Sequence, residues 1–411
     1  MRRVPSAGLS ESTGTAASRS GARRRVAVPL PIPPHAIQII AVFLITRLTL
    51  EIIGVSSRAA VGPLLASVPG ARFFWPQYTS QRGLLDIWGA WDTGWYVDIA
   101  SHGYSATRNA LGQANYNFFP LYPLLMRIVG YAVGGPYVGG LVVSNVCVLI
   151  TCFTLYRLVL LNDGAEVAAR TVRYLFAFPS AFLLSAVLSE PLFLALLVAC
   201  FYYARMGNWR AAGAFGFLLA LTRAEGILAV APLAYMYALQ NRGLPDGPVK
   251  ATRVWRPDAL FLLLIPLGTA AFLFYQYRLT GDFLAYWHIH QSWMAPSNSK
   301  LLPSGNDAGK TVNGSLITGL GLSSAAFIMA LALLLPNRRH LSRPLWVLAL
   351  YSVLLPVVDF PRSYAFLRHL LEAFPLYILL AKVNRPDVEI GLAMSQGFFM
   401  ALWTIGSWVI I

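Results

Sequence analysis

Three aspartates punctuate the stretch LLDIWGAWDTGWYVDIASHGYS at 84–105: Asp86, Asp92 and Asp98, each six residues from the next. On a helix, six residues turn a side chain by about 600°, so successive acids step round the axis by about 120° and share no face. A metal site built from the three is disfavoured, and one carboxylate acting alone is the better chemistry. Asp92 has the setting for it, between Trp91 and the pair Thr93-Gly94. An indole there can partly strip the carboxylate of water and make it a better base, while the glycine lets a substrate approach. Trp91 is then a candidate contact for that substrate. The competing structural reading is helix capping, since aspartate is a favoured N-cap and Trp95-Tyr96 can open a helix.

Charges stranded in apolar sequence form a second set. Glu190, in Ser189-Glu190-Pro191, interrupts a long apolar stretch, and a buried carboxylate there must be paired or protonated. It either contacts a substrate or neutralises an arginine such as Arg223. Arg223, Arg362, Arg368 and His369 are cations in or beside membrane-length runs, where an ionisable group is costly and marks a site unless a neighbour neutralises it. Neighbours are at hand: Glu225 for Arg223, and Glu372 one helical turn beyond Arg368. Asp282 follows Gly281, with His288 and His290 beyond it, and reads as turn chemistry or as carbohydrate binding. Tyr286, Trp287 and Trp293 offer flat faces to a sugar or anchors to lipid.

The elements that must position these residues are apolar helices. Of the chain, 57% is hydrophobic and only 12% charged, with a mean hydropathy of +0.58, against about 25% charge in a soluble domain. Its surface faces lipid, which excludes disordered, collagenous and disulfide-scaffold classes. Cys147, Cys152 and Cys200 sit inside apolar runs as packing residues, and the six scattered histidines carry no zinc signature.

The opening tract MRRVPSAGLSESTGTAASRSGARRR has nothing to bury and reads as a disordered basic tail ending in a Pro-rich hinge, together 1–34. An integral-membrane domain follows over 35–411. Its segments are expected near 36–57, 130–161, 172–187, 188–204, 210–222, 226–240, 258–277, 315–335, 344–359, 369–384 and 390–411. The fold class is thus an all-α polytopic membrane protein with about 11 transmembrane helices. Several segments fall short of the roughly 20 residues a perpendicular span needs and must be tilted or broken.

Placing the N-terminus in the cytoplasm puts most of the 32 Lys and Arg on that side, clustered at each cytoplasmic turn. The net charge of +15 is then a topology signal and a contact with membrane lipids, not a nucleic-acid footprint. Two long loops, 58–129 and 278–314, fall outside, with most of the residues singled out above. The expected location is a multi-pass protein of the plasma membrane with an extracytoplasmic site.

WDTGWYVDIASHGY followed by FFPLYPLLMR at 118–127 resembles the first luminal loop of the PIG-V family, the GPI mannosyltransferase II enzymes and their prokaryotic relatives in the GT-C class. FPSAFLLSAVLSEPLFLAL (178–196), LTRAEG (221–226) and YRLTGDFLAYWHIHQSW (277–293) are similar to later family segments, in order. The resemblance implies a membrane glycosyltransferase taking mannose from a polyprenyl-phosphate carrier on the extracytoplasmic face, with Asp92 as catalytic base. The acceptor is a lipid-linked or cell-envelope glycan; the GPI acceptor of the eukaryotic enzymes is not carried over.

The chemistry is consistent with that topology. A lipid-phosphate sugar presents its anomeric carbon at the headgroup plane, and its phosphate leaving group is best met by guanidinium or imidazolium. Arg223, Arg362, Arg368, His369 and His288 are the candidates for that end, with Glu190 and Asp282 toward the acceptor. No nucleotide diphosphate leaves, so neither a metal nor a cofactor is required. Two alternatives stay open: another polyprenyl-phosphate sugar, since nothing in the residues separates hydroxyl epimers, and a non-enzymatic lipid or glycan transporter of the same topology.

Overall fold

The computed structural model describes residues 34–66, 84–109, 112–241, 257–294, 321–359 and 366–405. The expected tail, Arg362 and the part of the second loop beyond 294 lie outside the described residues. Among the described residues every regular element is helical and no β-strand occurs.

The first helix, α1 (Pro34–Ala66), continues past position 58, so the expected first loop begins inside it. Leu44, Ile45, Leu48 and Ile52 on its outer side are all more than half exposed. Such a stripe on a folded chain needs an apolar surrounding. Its inner side is cut for close contact: a Cβ on Gly54 would lie 2.8 Å from Met400 and 2.9 Å from Ile87. Met400 belongs to the last helix, α14 (Pro386–Thr404).

Between them, α2 (Thr93–His102) and α3 (Leu121–Val133) lead into α4 (Pro136–Ala177), whose helical path breaks at Gly164, φ 82°. The expected segment 172–187 is not one helix. α4 stops at Ala177 because Pro179 forces Phe178 into extended backbone, φ −62°, ψ 139°, and a single 3-10 turn at Ala181–Ser185 follows. The chain then builds α5 (Glu190–Arg205), α6 (Trp209–Ala220), α7 (Val230–Asn241), α8 (Leu264–Thr280) and α9 (Ala285–Met294). After them come α10 (Gly321–Leu334), α11 (Arg343–Asp359), α12 (Phe366–Leu370) and α13 (Pro375–Val383).

Among the described residues, three stretches are long and apolar enough to cross a membrane: His35–Leu64, Pro136–Ala177 and Pro257–Thr280. That is fewer than the expected count of about 11, because breaks such as Pro179 and Gly207 leave helices of 16 and 12 residues at α5 and α6. Small residues bring the bundle together. Gly213 and Gly268 let α6 and the start of α8 approach so closely that a Cβ would meet Phe261 O at 2.2 Å and Phe217 O at 2.6 Å.

Charge separates along the bundle. α5 starts at Glu190 and ends at Arg205, roughly 24 Å away at 1.5 Å per residue. Around the Arg205 end, Arg205 donates to Asn162 (2.6 Å), Lys382 pairs with Asp163 (2.6 Å) and Arg173 with Glu389 (3.1 Å). The opposite end holds the acids considered next.

The α3–α4 contact depends on missing side chains: a Cβ on Gly139 would sit 2.4 Å from Met126 O and 2.6 Å from Gly130 N. Gly139→Leu is expected to cost about 1–3 kcal/mol, as overpacking does, read as a lower unfolding temperature in detergent.

Candidate active site

Four segments between the longer helices meet at the Glu190 end of α5. The first, residues 84–92, is pinned by three helices. Trp88 Nε1 donates to Glu51 of α1 (2.7 Å), Tyr137 of α4 to Leu85 O (2.7 Å), and Trp403 of α14 to Ile87 O (2.8 Å). The second, 178–189, lies alongside it: Val187 N–H donates to Trp88 O (3.0 Å), Thr93 Oγ1 to Val187 O (3.1 Å) and Tyr96 OH to Ser189 Oγ (2.8 Å). The third is the Leu221–Ala229 turn, held where Leu121 N–H donates to Leu221 O (3.0 Å). The fourth, 366–374, is tied in by Ser180 Oγ donating to Leu367 O (2.7 Å).

Three of these segments, and Glu190 directly after the second, deliver charges to one cluster. Arg368 donates from Nε to Glu190 Oε1, and its Nη2 lies 2.7 Å from Asp92 Oδ2. Arg223 Nη1 donates to the same Glu190 oxygen at 2.8 Å, and its other nitrogens lie 3.5 Å from Glu225 Oε1 and 3.5 Å from Glu372 Oε1. The Arg223–Glu372 contact is an ion pair that misses hydrogen-bond geometry, for both atoms are buried without such a partner. Glu190 is fully buried, whereas Asp92 and Glu225 keep 22% and 21% of their side chains exposed, so the cluster meets its surroundings through these two acids. Four carboxylates face two guanidiniums, which leaves the cluster rich in acid.

The backbone explains why Asp92 is free for this. It stands at the N-cap position of α2 yet makes no side-chain capping bond, and its own φ −62°, ψ −19° are already helical. Capping needs extended backbone that turns the oxygen toward the next N–H groups. Trp91 takes the left-handed conformation instead, φ 55°, unusual for a bulky residue and a mark of an over-determined site. The capping reading of Asp92 is thereby corrected.

Of the sequence candidates, the fold brings together Asp92, Glu190, Arg223 and Arg368, with Trp91 and the half-buried His369 as their chain neighbours. The local pairing of Arg368 with Glu372 does not form: α12 ends at Leu370, so Glu372 lies in the following turn and faces Arg223. Asp282 and His288 form a separate pair, 2.6 Å apart, before α9. Hydrogen bonds from His288 and from the Leu284 N–H hold the Asp282 carboxyl below its ordinary pKa. Arg362 lies outside the described residues. Glu225 and Glu372 enter as members of the site where the sequence offered them only as neutralising neighbours, and Tyr96 was not singled out. Among the described residues no group of three His, Cys, Asp or Glu is placed to hold a metal.

No family model matches the chain, and no curated protein matches it. Among solved structures it is similar to the Archaeoglobus fulgidus oligosaccharyltransferase in complex with Zn and sulfate, with 14% identity, a TM-score of 0.45, and coverage of 90% of this chain and 53% of that one. It is also similar to ArnT from Cupriavidus metallidurans bound to undecaprenyl phosphate, with 12% identity, a TM-score of 0.41, and coverage of 78% and 76%. The chain thus spans about half the length of the archaeal enzyme. At these scores the function has to come from the chain's own residues.

Glu190 shows how tightly the cluster depends on its pairs. Glu190→Ala would leave both guanidiniums short of a buried partner, and removing one member of such a pair costs about 3–5 kcal/mol. Glu190→Gln, which keeps an acceptor oxygen, is expected to cost less; thermal unfolding of the two variants in detergent measures the difference.

Proposed function

We propose that the chain is a membrane glycosyltransferase that moves mannose from polyprenyl-phosphate mannose to a lipid-linked or cell-envelope glycan acceptor on the extracytoplasmic face. The observation that carries the reading is the contact of Asp92 with Arg368. It is a partly exposed carboxylate held on a buried guanidinium, at the end of the bundle away from the basic turns. Asp92 takes the proton of an acceptor hydroxyl as that oxygen forms its bond to the anomeric carbon. The bond from that carbon to the phosphate oxygen breaks, and its electron pair leaves with the polyprenyl phosphate.

The pairings add a reason for the arginines. The leaving phosphate gains one negative charge as Asp92 loses one on protonation. Arg368, shared between Asp92 and Glu190, is then released by the acid at the moment that a phosphate oxygen needs a charge-assisted donor. Arg223 stays on its three carboxylates and holds Glu190 in place. Trp91, His369, Arg362 and His288 are kept as further donor contacts, and Asp282 as a carbohydrate contact toward the acceptor. The donor sugar and the acceptor rest on the resemblance of the WD and FFPL-P-LL segments.

Two measurements test this. Transfer of radiolabel from polyprenyl-phosphate mannose to membrane lipids is expected to fall by about 10²–10⁴-fold in Asp92→Asn, the usual worth of a general base, with the unfolding temperature nearly unchanged. Full transfer by the variant removes Asp92 as base. For the side of the membrane, the three native cysteines are buried, so a new cysteine at exposed Thr107 or Arg338 reports alone. An impermeant maleimide is expected to label Thr107→Cys on intact cells and Arg338→Cys only after permeabilisation; the reverse pattern overturns the orientation.

A further inference from the structure

α8 ends one of the three membrane-length stretches, and Gly281, φ 74°, turns the chain into α9 within a few residues. α9 has two unlike faces. On one, Ala285 and Ile289 are buried against Ala114 and Tyr116 of the first loop, and Gln276 at the end of α8 donates to Tyr116 O at 2.6 Å. On the other, Trp287 is 58% exposed, beside Phe283 and Leu284 just before the helix at 76% and 58%.

That open face continues a surface that already has a partner under the membrane reading. The flank of α8 exposes Phe274 to 60%, and the Phe283 ring stacks on Tyr277 of α8 with centroids 3.8 Å apart. Apolar side chains are therefore carried from α8 across the Gly281 turn by the Tyr277–Phe283 stack. Charge collects at the same turn: Arg278 in the last turn of α8 is exposed, and the Asp282–His288 pair is partly so. Aromatic bodies with ionic groups beside them are the side-chain set that favours the plane between acyl chains and headgroups.

We propose that α9 is a lipid-seated foot: its Phe283–Trp287 face lies in the outer-leaflet headgroup layer, and its Ala285–Ile289 face carries the first loop at a fixed height above the membrane. The occupant of the open face is lipid. The height matters because the supported segment runs through Phe119, which meets Tyr286 of α9 edge-on at 5.7 Å, to Leu121, whose N–H is bonded to the Leu221 turn beside Arg223. The proposal rests on the extracytoplasmic placement of that loop, and its test does not use mannosyl transfer.

The full chain carrying Trp287→Cys is labelled with an environment-sensitive fluorophore and placed in phosphatidylcholine vesicles containing nitroxide lipids. The expected result is blue-shifted emission, quenched most by nitroxides at the headgroup or near the carbonyl end of the acyl chain, and little by aqueous iodide. Water-like emission quenched by iodide overturns the proposal, as does strongest quenching from mid-bilayer nitroxides, which would make α9 part of a span. Emission that shifts with the protein-to-lipid ratio would put a second copy on the face and also overturns it. If Trp287→Cys fails to fold, Phe283→Cys reads the same surface. A lipid-seated probe on a chain that transfers no mannose would sink the enzyme reading and leave the foot standing.

Discussion

One oxygen of Glu190 accepts from two guanidiniums inside an apolar bundle, and the geometry of the site follows from that sharing. A buried carboxylate is stable only if charge and hydrogen bonds both reach it. Glu190 obtains them from Arg223 and Arg368, which lie far apart in the sequence. The two arginines are thereby held near one another against their repulsion, and each is left with nitrogens to spend elsewhere. Arg368 spends one on Asp92, and Arg223 spends its others on Glu225 and Glu372. A carboxamide at 190 could accept but could not supply the charge that keeps two guanidiniums together.

The arrangement also explains why the helices are short at this end. A continuous helix satisfies its own backbone and presents side chains only sideways. Here Pro179 ends α4, Pro191 opens α5, and the turns at 221–229 and 371–374 interrupt the later helices, so charged side chains enter the cluster from chain ends. The freed backbone groups are taken up by neighbouring segments, as in the Val187–Trp88 and Leu121–Leu221 bonds. The breaks that lower the count of membrane-length helices are the same breaks that build the site.

This accounts for what could be read in advance. Asp92, Glu190, Arg223 and Arg368 were legible as misfits, because a charge in apolar sequence stands out without any knowledge of the fold. Their pairing was not legible. Local spacing matched Arg368 to Glu372, but that match requires a helix through both positions, and α12 stops at Leu370. Asp92 looked like a cap because its type and place fit one; the left-handed backbone at Trp91, which turns it away, leaves no mark in composition. The small residues followed the same rule. Gly139 and Gly213 are plain glycines in sequence, and only the backbone atoms facing them show why nothing larger fits.

With four carboxylates around two arginines, every guanidinium in the cluster is shared between acids. Asp92 and Glu225 keep 22% and 21% of their side chains exposed, and Asp92 is joined to the rest through Arg368 alone among the pairs formed. In the proposed reaction, base and anion-binding group are the two ends of the Asp92–Arg368 contact, a pairing that spacing along the chain does not reveal.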